Sequence, residues 1–450
     1  MTHSDPKQTR TDAAWLDAHW MPFTGNRQFK AHPRIFVAAE GAYYTDAGGK
    51  KIFDGLSGLW CCGLGHARRE ITEAVSRQVA ALDYAPAFQF GHPTSFELAN
   101  KLKELTPPGL DYVFFTGSGS EAADTSLKMA RAYWRAKGQG TKTRLIGREK
   151  GYHGVNFGGI SVGGIVGNRK AYGQTLEADH LPHTQLALYD KAKAFTRGQP
   201  QTGAELADDL LRLVTLHDAS NIAAVIVEPF AGSAGVVIPP VGYLQRLREL
   251  CTAHNILLIF DEVITGFGRT GALTGAQAFG VVPDIMNVAK QVTNGVQPLG
   301  AVIVKQEIYD AFMSAGGPEY MLEFAHGYTY SAHPVACAAG VAALDLLVQE
   351  RAVERVAELA PYFENSVHGL KGHRHITDIR NFGLAAGLTI EALPGEPAKR
   401  PFEIAMKCLE QGLYVRYGGD TIQFAPPFIT EKPEIDRAVS IIADALAATP

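Results

Sequence analysis

Residues 256–263 read Ile-Leu-Leu-Ile-Phe-Asp-Glu-Val, an unbroken apolar run that ends on two acidic side chains. A second run, Ile-Met-Asn-Val-Ala at 285–289, is followed by Lys290. Short apolar runs without polar alternation are typical of strands buried on both faces of a parallel sheet. Ligands of open α/β sheets bind beyond the carboxyl ends of the strands, so the sequence predicts that Asp261 and Lys290 share a functional edge.

A carboxylate and a lysine amine at one edge suit the chemistry of pyridoxal 5′-phosphate. The pyridine nitrogen of that cofactor stays protonated beside an anion, and its aldehyde is held as a Schiff base by a primary amine. Asp261 and Lys290 are the candidates for these two roles. Most aspartates and lysines are solvated surface charges, but a position at the end of a buried strand favours the functional interpretation here.

Apolar segments alternate with helical periodicity through the middle of the chain. The predicted elements are, in order, strand 112–116, helix 121–135, strand 144–147, strand 223–227, helix 243–254 and strand 256–260. This alternation predicts an α/β fold in which helices sandwich a mostly parallel sheet.

A smaller α+β domain is predicted after about residue 330, where a long helical run at 334–363 precedes strands at 413–417 and 421–425. Near the N-terminus, short segments have the pattern of a small meander that is expected to pack with this domain: 34–37, 42–45 and 51–53. We therefore predict three parts, namely an N-terminal segment, a large cofactor-binding domain and a C-terminal small domain, at 1–64, 65–330 and 331–450.

The turn Ser118-Gly119-Ser120 lies between a predicted strand and a predicted helix. Backbone N–H groups and the helix dipole favour a phosphate at such a place, and the two serines add hydroxyl donors. A helix cap formed by Ser118 and Glu121 would explain the same residues without any ligand. Both interpretations are open at this point.

The same turn also matches a dinucleotide fingerprint, Gly117-x-Gly119-x-x-Ala122, with Glu149 as a candidate ribose contact. That alternative would make the chain a nicotinamide-dependent dehydrogenase. It is disfavoured because Glu149 lies between two cationic residues and because Asp261 and Lys290 would have no role.

The composition is that of an ordinary globular protein. The chain has 450 residues, 46% of them hydrophobic, and a formal net charge of −4. No basic stretch or long apolar run favours nucleic acid or membrane partners, and the polar residues 1–11 lack a signal sequence, so a cytoplasmic location is expected. The cysteines have no metal-ligand spacing, so we expect no metal, and they are predicted to be free thiols: Cys61, Cys62, Cys251, Cys337 and Cys408.

Five motifs together resemble the class III aminotransferases, a family that depends on pyridoxal phosphate. They are Phe-Thr-Gly-Ser-Gly-Ser-Glu-Ala at 115–122, Gly-Tyr-His-Gly at 151–154, Val-Glu-Pro at 227–229, Phe-Asp-Glu-Val-Ile-Thr-Gly-Phe-Gly-Arg-Thr-Gly at 260–271 and Ala-Lys-Gln-Val-Thr-Asn-Gly at 289–295. Within the family, the segments 21–24, 58–62 and 326–334 resemble the group that acts on ω-amino acids such as β-alanine with pyruvate. The resemblance implies fold type I and a homodimer, often paired into a tetramer, with active sites at the subunit interface.

The resemblance also assigns roles to residues around the cofactor. It makes Lys290 the Schiff-base lysine and general base, and Asp261 the partner of the pyridine nitrogen. The phosphate contacts that it implies are Ser118, Gly119, Ser120 and, from the neighbouring subunit, Thr329. It implies further cofactor contacts from Tyr152, which stacks on the ring, from Val263, which covers its other face, and from His153 and Glu228.

Substrate binding is implied for Arg416, whose planar fork suits the carboxylate of a keto acid. Phe23, Trp60, Phe88 and Tyr152 are candidates for an aromatic donor pocket, although core or interface aromatics have the same composition. The expected reaction is transamination of an ω-amino acid or primary amine with pyruvate. Relatives on this fold that use 4-aminobutyrate or diamines are the alternatives, since Asp261 and Lys290 cannot distinguish them.

Overall fold

The computed structural model describes residues 13–450. Residues 1–12, which begin the predicted N-terminal segment and include the polar stretch 1–11, lie outside the described part. Within residues 13–450 the helices are α1 (Ala13–Leu16), α2 (Asn26–Ala31), α3 (Ser57–Trp60), α4 (Arg69–Ala81), α5 (Pro93–Leu105), α6 (Gly119–Ala136), α7 (Phe157–Val162), α8 (Val166–Tyr172), α9 (Asp209–His217), α10 (Tyr243–Ala253), α11 (Gly275–Phe279), α12 (Gln306–Ala315), α13 (Pro334–Gln349), α14 (Ala352–His368), α15 (Lys399–Glu410) and α16 (Lys432–Ala447). None of these helices has the length and apolar character needed to cross a membrane.

The strands belong to three sheets of seven, four and four strands. Within the same described range they are β1 (Phe36–Glu40), β2 (Tyr43–Asp46), β3 (Lys51–Asp54), β4 (Leu110–Thr116), β5 (Arg144–Arg148), β6 (Ala178–Leu181), β7 (Ile222–Val227), β8 (Leu257–Asp261), β9 (Ile285–Ala289), β10 (Gly300–Lys305), β11 (Ile376–Phe382), β12 (Ala385–Ile390), β13 (Leu413–Tyr414), β14 (Arg416–Gly418) and β15 (Thr421–Phe424).

The large sheet has the order β4-β10-β9-β8-β7-β5-β6. Strands β9, β8, β7, β5 and β6 pair in parallel, and β10 is antiparallel to both β9 and β4. Strand β4 therefore runs in the same direction as the parallel strands, and the carboxyl ends of β4, β5, β7, β8 and β9 meet at one edge. The predicted α/β fold with a mostly parallel sheet is confirmed.

Helices cover both faces of this sheet, and β7 shows how its residues divide between the two layers. Val225 packs in one core with residues of α10, whereas its neighbour Ile226 packs in the other with residues of α6. Because side chains alternate along a strand and both faces are covered, every residue of β7 is apolar and buried. The apolar runs of the sequence therefore correspond to central strands.

The N-terminal strands form the predicted meander, since β1 pairs antiparallel with β2 and β2 with β3. Strand β13, from the other end of the chain, joins them by parallel pairing of Leu413 with Phe53. The remaining sheet has the order β11-β12-β15-β14. The domain limits at 64 and 330 stay a prediction.

Two predicted elements are wrong in their extent. The run 334–363 is not one helix, because Arg351 lies between α13 and α14 in the left-handed region with φ of 50°. This break lets α13 pack against α4 and α5 while α14 packs against α16. The predicted strand 413–417 is two strands, since β13 and β14 pair in different sheets. The periodicity of the sequence does not reveal either break. Strands β6, β10, β11 and β12 are also not predicted from the sequence.

Candidate active site

Pockets that bind small ligands and cofactors enclose roughly 300–1,000 Å³, and the cavity at the carboxyl edge of the large sheet measures about 780 Å³. Its wall contains most of the residues singled out in the sequence: Phe23, Trp60, Ser118, Gly119, Ser120, Tyr152, Glu228, Asp261, Val263, Lys290 and Arg416. Most of them meet there because they end or follow β4, β5, β7, β8 and β9, whose carboxyl ends share this edge. The others are Phe23 between α1 and α2, Trp60 at the end of α3, and Arg416 of β14.

Lys290 directly follows β9 and has a left-handed backbone, with φ of 51°. Flanking side chains hold this strained turn, since Gln291 Oε1 accepts the Gly63 N–H at 2.7 Å and Asn294 Oδ1 accepts the Leu64 N–H at 3.0 Å. Within residues 13–450 the Lys290 Nζ has no hydrogen-bond or ion-pair partner. Burial lowers the pKa of Lys290, opposed by nearby Cys61 and Asp261. The site thus offers a partnerless amine that deprotonates more readily than a surface lysine.

Asp261 ends β8, and only 5% of its surface is exposed. Its Oδ2 lies 2.8 Å from Nδ1 of His153, and its Oδ1 accepts the Val263 N–H at 3.2 Å. Burial acts to lower the pKa of His153, but the hydrogen bond to Asp261 and the charge of Glu228 outweigh it, and the net shift is upward. The raised pKa of His153 favours a hydrogen-bond donor at Nδ1, facing the Asp261 carboxylate.

The resemblance predicts that His153 contacts the cofactor, and this stays a prediction. His153 does not line the cavity but lies behind Asp261, fully enclosed, with its Nε2 3.9 Å from Glu228 Oε2. In the part of the chain that the structure describes, this Nε2 has no hydrogen-bond partner. Its effect on a ligand in the cavity would pass through Asp261.

Glu228 follows β7 and fixes the segment that carries Tyr152. Its Oε1 accepts the Tyr152 N–H at 3.0 Å, and its Oε2 lies 3.4 Å from Nη2 of the buried Arg148. The same Arg148 nitrogen donates to the Glu228 carbonyl at 2.9 Å. Because the Tyr152 backbone is held in this way, its ring is part of a preformed cavity wall.

The turn before α6 is both a helix cap and a possible anion site. Ser118 Oγ accepts the Glu121 N–H at 3.2 Å, as the capping interpretation predicts, and Ser120 Oγ accepts the Val155 N–H at 3.2 Å. Each hydroxyl keeps its own O–H for donation to another group. A Cβ on Gly119 would lie 3.0 Å from a methyl group of Val263, so the absence of a side chain keeps this part of the cavity open.

These features fit pyridoxal 5′-phosphate. The amine of Lys290 has no hydrogen-bond partner among the described residues, Asp261 is a buried carboxylate hydrogen-bonded to His153, and the N-terminus of α6 with two serine hydroxyls suits a phosphate dianion. Tyr152 and Val263 both line the same cavity and could enclose a flat ring.

Arg416 begins β14 and lines the cavity. No carboxylate of residues 13–450 lies within ion-pair distance of it, so its guanidinium is available to an anionic ligand. Trp60 is buried in the cavity wall, and the guanidinium carbon of Arg269 lies 5.7 Å from the centre of the Trp60 ring. Phe23, by contrast, is largely exposed.

Two predicted residues besides His153 lie outside the cavity of their own chain. Phe88 and Thr329 are exposed, and their segments contact each other, since the Tyr84 hydroxyl donates to the Thr329 carbonyl at 3.0 Å and Phe88 packs against Gly327. Conversely, sequence reasoning missed cavity residues that sit beside recognised motifs: Lys150, Ser233, Ala234 and Asp420. Their closeness in sequence to Tyr152, Glu228 and Arg416 was the available signal.

The chain matches the aminotransferase class-III family over residues 24–446. It is 62% identical over 432 residues to a β-alanine–pyruvate aminotransferase of Pseudomonas aeruginosa, and 59% identical over 433 residues to an ω-amino acid–pyruvate aminotransferase of Pseudomonas putida, with 96% of each chain covered in both cases. Among solved structures it is similar to an (S)-enantioselective ω-transaminase from Thermomicrobium roseum, with TM-score 0.90, 34% identity and 97% of both chains covered. An amine transaminase from an uncultivated Pseudomonas species, in its PLP-bound form, gives TM-score 0.88 and 34% identity, covering 96% of this chain and 99% of that one.

Proposed function

Because the chain belongs to the class III aminotransferase family, we propose that it transfers the amino group of an ω-amino acid such as β-alanine, or of a primary amine, to pyruvate. The products are a semialdehyde, aldehyde or ketone and L-alanine. The cofactor is pyridoxal 5′-phosphate, and the fold is fold type I. The dehydrogenase alternative is wrong, since the whole of 117–122 falls inside the aminotransferase match.

The observation that carries this proposal is the meeting of three groups in one cavity: the amine of Lys290 and the guanidinium of Arg416, neither of which has an ion-pair partner among the described residues, and the buried carboxylate of Asp261. When bound, pyridoxal phosphate withdraws electrons from the carbon that carries the amino group and so makes its proton removable. Lys290 Nζ would bond to the aldehyde carbon of the cofactor and, once displaced by the donor, would move that proton. Its lowered pKa suits a base that works near neutral pH.

Other residues would hold the cofactor and the substrate. Asp261 would keep the pyridine nitrogen protonated, and Ser118, Gly119 and Ser120 would bind the phosphate. Arg416 would bind the carboxylate of pyruvate through its planar fork, as its lack of a carboxylate partner among residues 13–450 supports.

We further propose a homodimer in which a second copy completes the cavity. Support comes from the exposed aromatic residues Phe88 and Tyr330 and the exposed Thr329, which lie together on the surface of the chain. In a dimer Thr329 would reach the phosphate of the other subunit, and Phe88 would add to the donor pocket. Sedimentation would distinguish a dimer from a tetramer, and a monomer that is fully active would contradict the proposal.

A cytoplasmic location is also proposed, on the basis of the ordinary composition and the modest net charge of −4. Fractionation of cells that express the chain, followed by immunodetection, would test it.

Diamines and 4-aminobutyrate are the competing donors. A putrescine–pyruvate aminotransferase of Pseudomonas aeruginosa is 37% identical to the chain, and a γ-aminobutyrate transaminase of Oryza sativa is 33% identical, both well below 62%. The higher identity favours ω-amino acids with pyruvate.

Alanine formation from pyruvate with β-alanine, 4-aminobutyrate, putrescine and a benzylic amine tests the proposal directly. We expect turnover with β-alanine in the wild-type chain and none in Lys290→Ala, with Lys191→Ala, an exposed lysine, as the matched control. Turnover that survives in Lys290→Ala, or a wild-type chain that produces no alanine from any of these donors, would contradict it.

A further inference from the structure

Four residues form one row across the sheet β11-β12-β15-β14. Arg380 of β11 pairs with Gly387 of β12, Gly387 pairs with Gln423 of β15, and Gln423 pairs with Arg416 of β14. All three pairings are antiparallel, and directly opposed residues of antiparallel strands point to the same face of the sheet. Arg380, Gln423 and Arg416 therefore lie on one face, with a gap at Gly387.

The gap at Gly387 is filled by the backbone of the loop that contains Ser233, Ala234 and Gly235. A Cβ at this position would overlap the carbonyl oxygen of Gly235. That oxygen accepts two hydrogen bonds from Arg380, from Nε at 3.2 Å and from Nη2 at 2.8 Å. Gly235 has φ of 102°, a conformation that suits glycine. The tip of the loop is thus fixed to the sheet at one end of the row.

Arg380 is itself held in place, so it can act as a rigid clamp. It is buried, ion-paired with Asp378, and its Nη1 donates to Thr389 Oγ1 at 2.8 Å. Its planar fork therefore connects β11, β12 and the Gly235 carbonyl at once.

Gln423 makes the second connection to the same loop. Its Nε2 donates to the Ser233 carbonyl at 3.2 Å, and its side chain is almost completely buried. Its Oε1 has no hydrogen-bond partner within residues 13–450, which is energetically costly for a buried acceptor. Gln423 lies between Ser233 on the loop and Arg416 on the neighbouring strand.

The loop at one end of the row and Arg416 at the other end both line the cavity. Ser233 and Ala234 line one part of its wall, and Arg416 lines another. The hydrogen bonds of Gln423 and Arg380 therefore connect the loop that forms this wall to the same row of the sheet as Arg416.

We propose that Gln423 and Arg380 are positioning residues that set the upper size limit of the amine donor, by fixing the Ser233–Ala234 wall relative to Arg416. This inference rests on the proposed function of the cavity. On this inference, a donor with a ring needs more room between the wall and Arg416 than a small donor such as β-alanine does. Loss of the hydrogen bonds between this loop and the sheet should therefore favour bulky donors over small ones.

Gln423→Met is the sharpest test, because it removes the donor to Ser233 and the partnerless Oε1 together in a side chain of similar length. The exposed Gln411→Met, at the end of α15, is the matched control. We would measure kcat/KM with pyruvate for β-alanine, benzylamine and 1-phenylethylamine, and the melting temperature of the same preparations. Removing one hydrogen bond corresponds to a change of roughly 3- to 10-fold, so the ratio for 1-phenylethylamine over β-alanine should rise by that factor in Gln423→Met and stay constant in Gln411→Met.

A purely structural role for Gln423 would instead reduce activity with all three donors together, without dependence on donor size. That result, or an unchanged ratio in a folded variant that binds the cofactor, would overturn the inference. Arg380→Lys provides a second test, since one ammonium cannot replace the fork that spans Asp378, Thr389 and Gly235. If the wild-type chain failed to use β-alanine and pyruvate, the proposed function would be wrong, which is a separate outcome from an unchanged ratio.

Discussion

His153 offers the most informative perturbation, because it lies behind the cavity and is hydrogen-bonded to the Asp261 carboxylate. His153→Leu would remove the 2.8 Å hydrogen bond to Asp261 in a region where both side chains are buried. Hydrogen bonds to charged groups contribute about 1.5–3 kcal/mol, and a tenfold change in affinity corresponds to about 1.4 kcal/mol. The anionic form of Asp261 is the one proposed to pair with the cofactor. Because His153→Leu removes this stabilisation, it should bind pyridoxal phosphate roughly 10- to 100-fold more weakly than the wild-type chain does.

His153→Asn gives a graded comparison, since the asparagine amide can donate from near the position of Nδ1 but carries no charge. We expect it to fall between His153→Leu and the wild-type chain. The assay is titration of cofactor-free protein with pyridoxal phosphate, followed by absorbance. His373→Leu, which replaces an exposed histidine, is the control.

The dependence on pH has a definite direction. The pKa of His153 is raised above its ordinary value of 6.5 in the folded chain. Its contribution is therefore fully present below about 6.5 and is lost as the pH rises through the raised folded pKa. The advantage of the wild-type chain over His153→Leu should shrink as the solution becomes alkaline. Equal affinities for the cofactor at pH 6 in the two proteins would refute the reasoning.

Three further outcomes are expected. Arg416→Ala should raise KM for pyruvate by roughly 10-fold or more, through loss of a charge-assisted bidentate contact, and an unchanged KM would remove Arg416 from carboxylate binding. Gly147→Ala should prevent stable folding, because its Cβ would overlap the Val162 carbonyl, and circular dichroism with thermal melting would detect a folded variant that contradicts this. Arg351→Gly should stabilise the chain by about 1 kcal/mol, since φ of 50° between α13 and α14 is strained for arginine, and a lowered melting temperature would argue against that strain.

Much of the fold follows from local pattern. The apolar runs that precede Asp261 and Lys290 report burial on both faces, and burial on both faces in alternation with helices specifies a parallel sheet covered by helices. Since ligands bind at the carboxyl ends of such strands, the place of these two residues could be predicted without coordinates.

Other features depend on contacts between distant parts of the chain. Asp261 meets His153 across 108 residues, and Arg380 meets Gly235 across 145 residues. The periodicity of the sequence reveals neither contact, because both contacts depend on which strands become neighbours and in which register. For the same reason, the sequence alone could not show that Arg416 begins a separate strand or that it shares a row with Gln423.

The sequence by itself determined which residues carry the reactive groups and at which ends of strands they lie, because burial and periodicity are local properties. Only the tertiary structure decided that His153 braces Asp261 from behind, and that Arg416 and the Ser233–Ala234 wall are tied to one row of the small sheet. The physical reason is that register and strand order are set by packing over the whole chain, where long loops must close before any of these contacts can form.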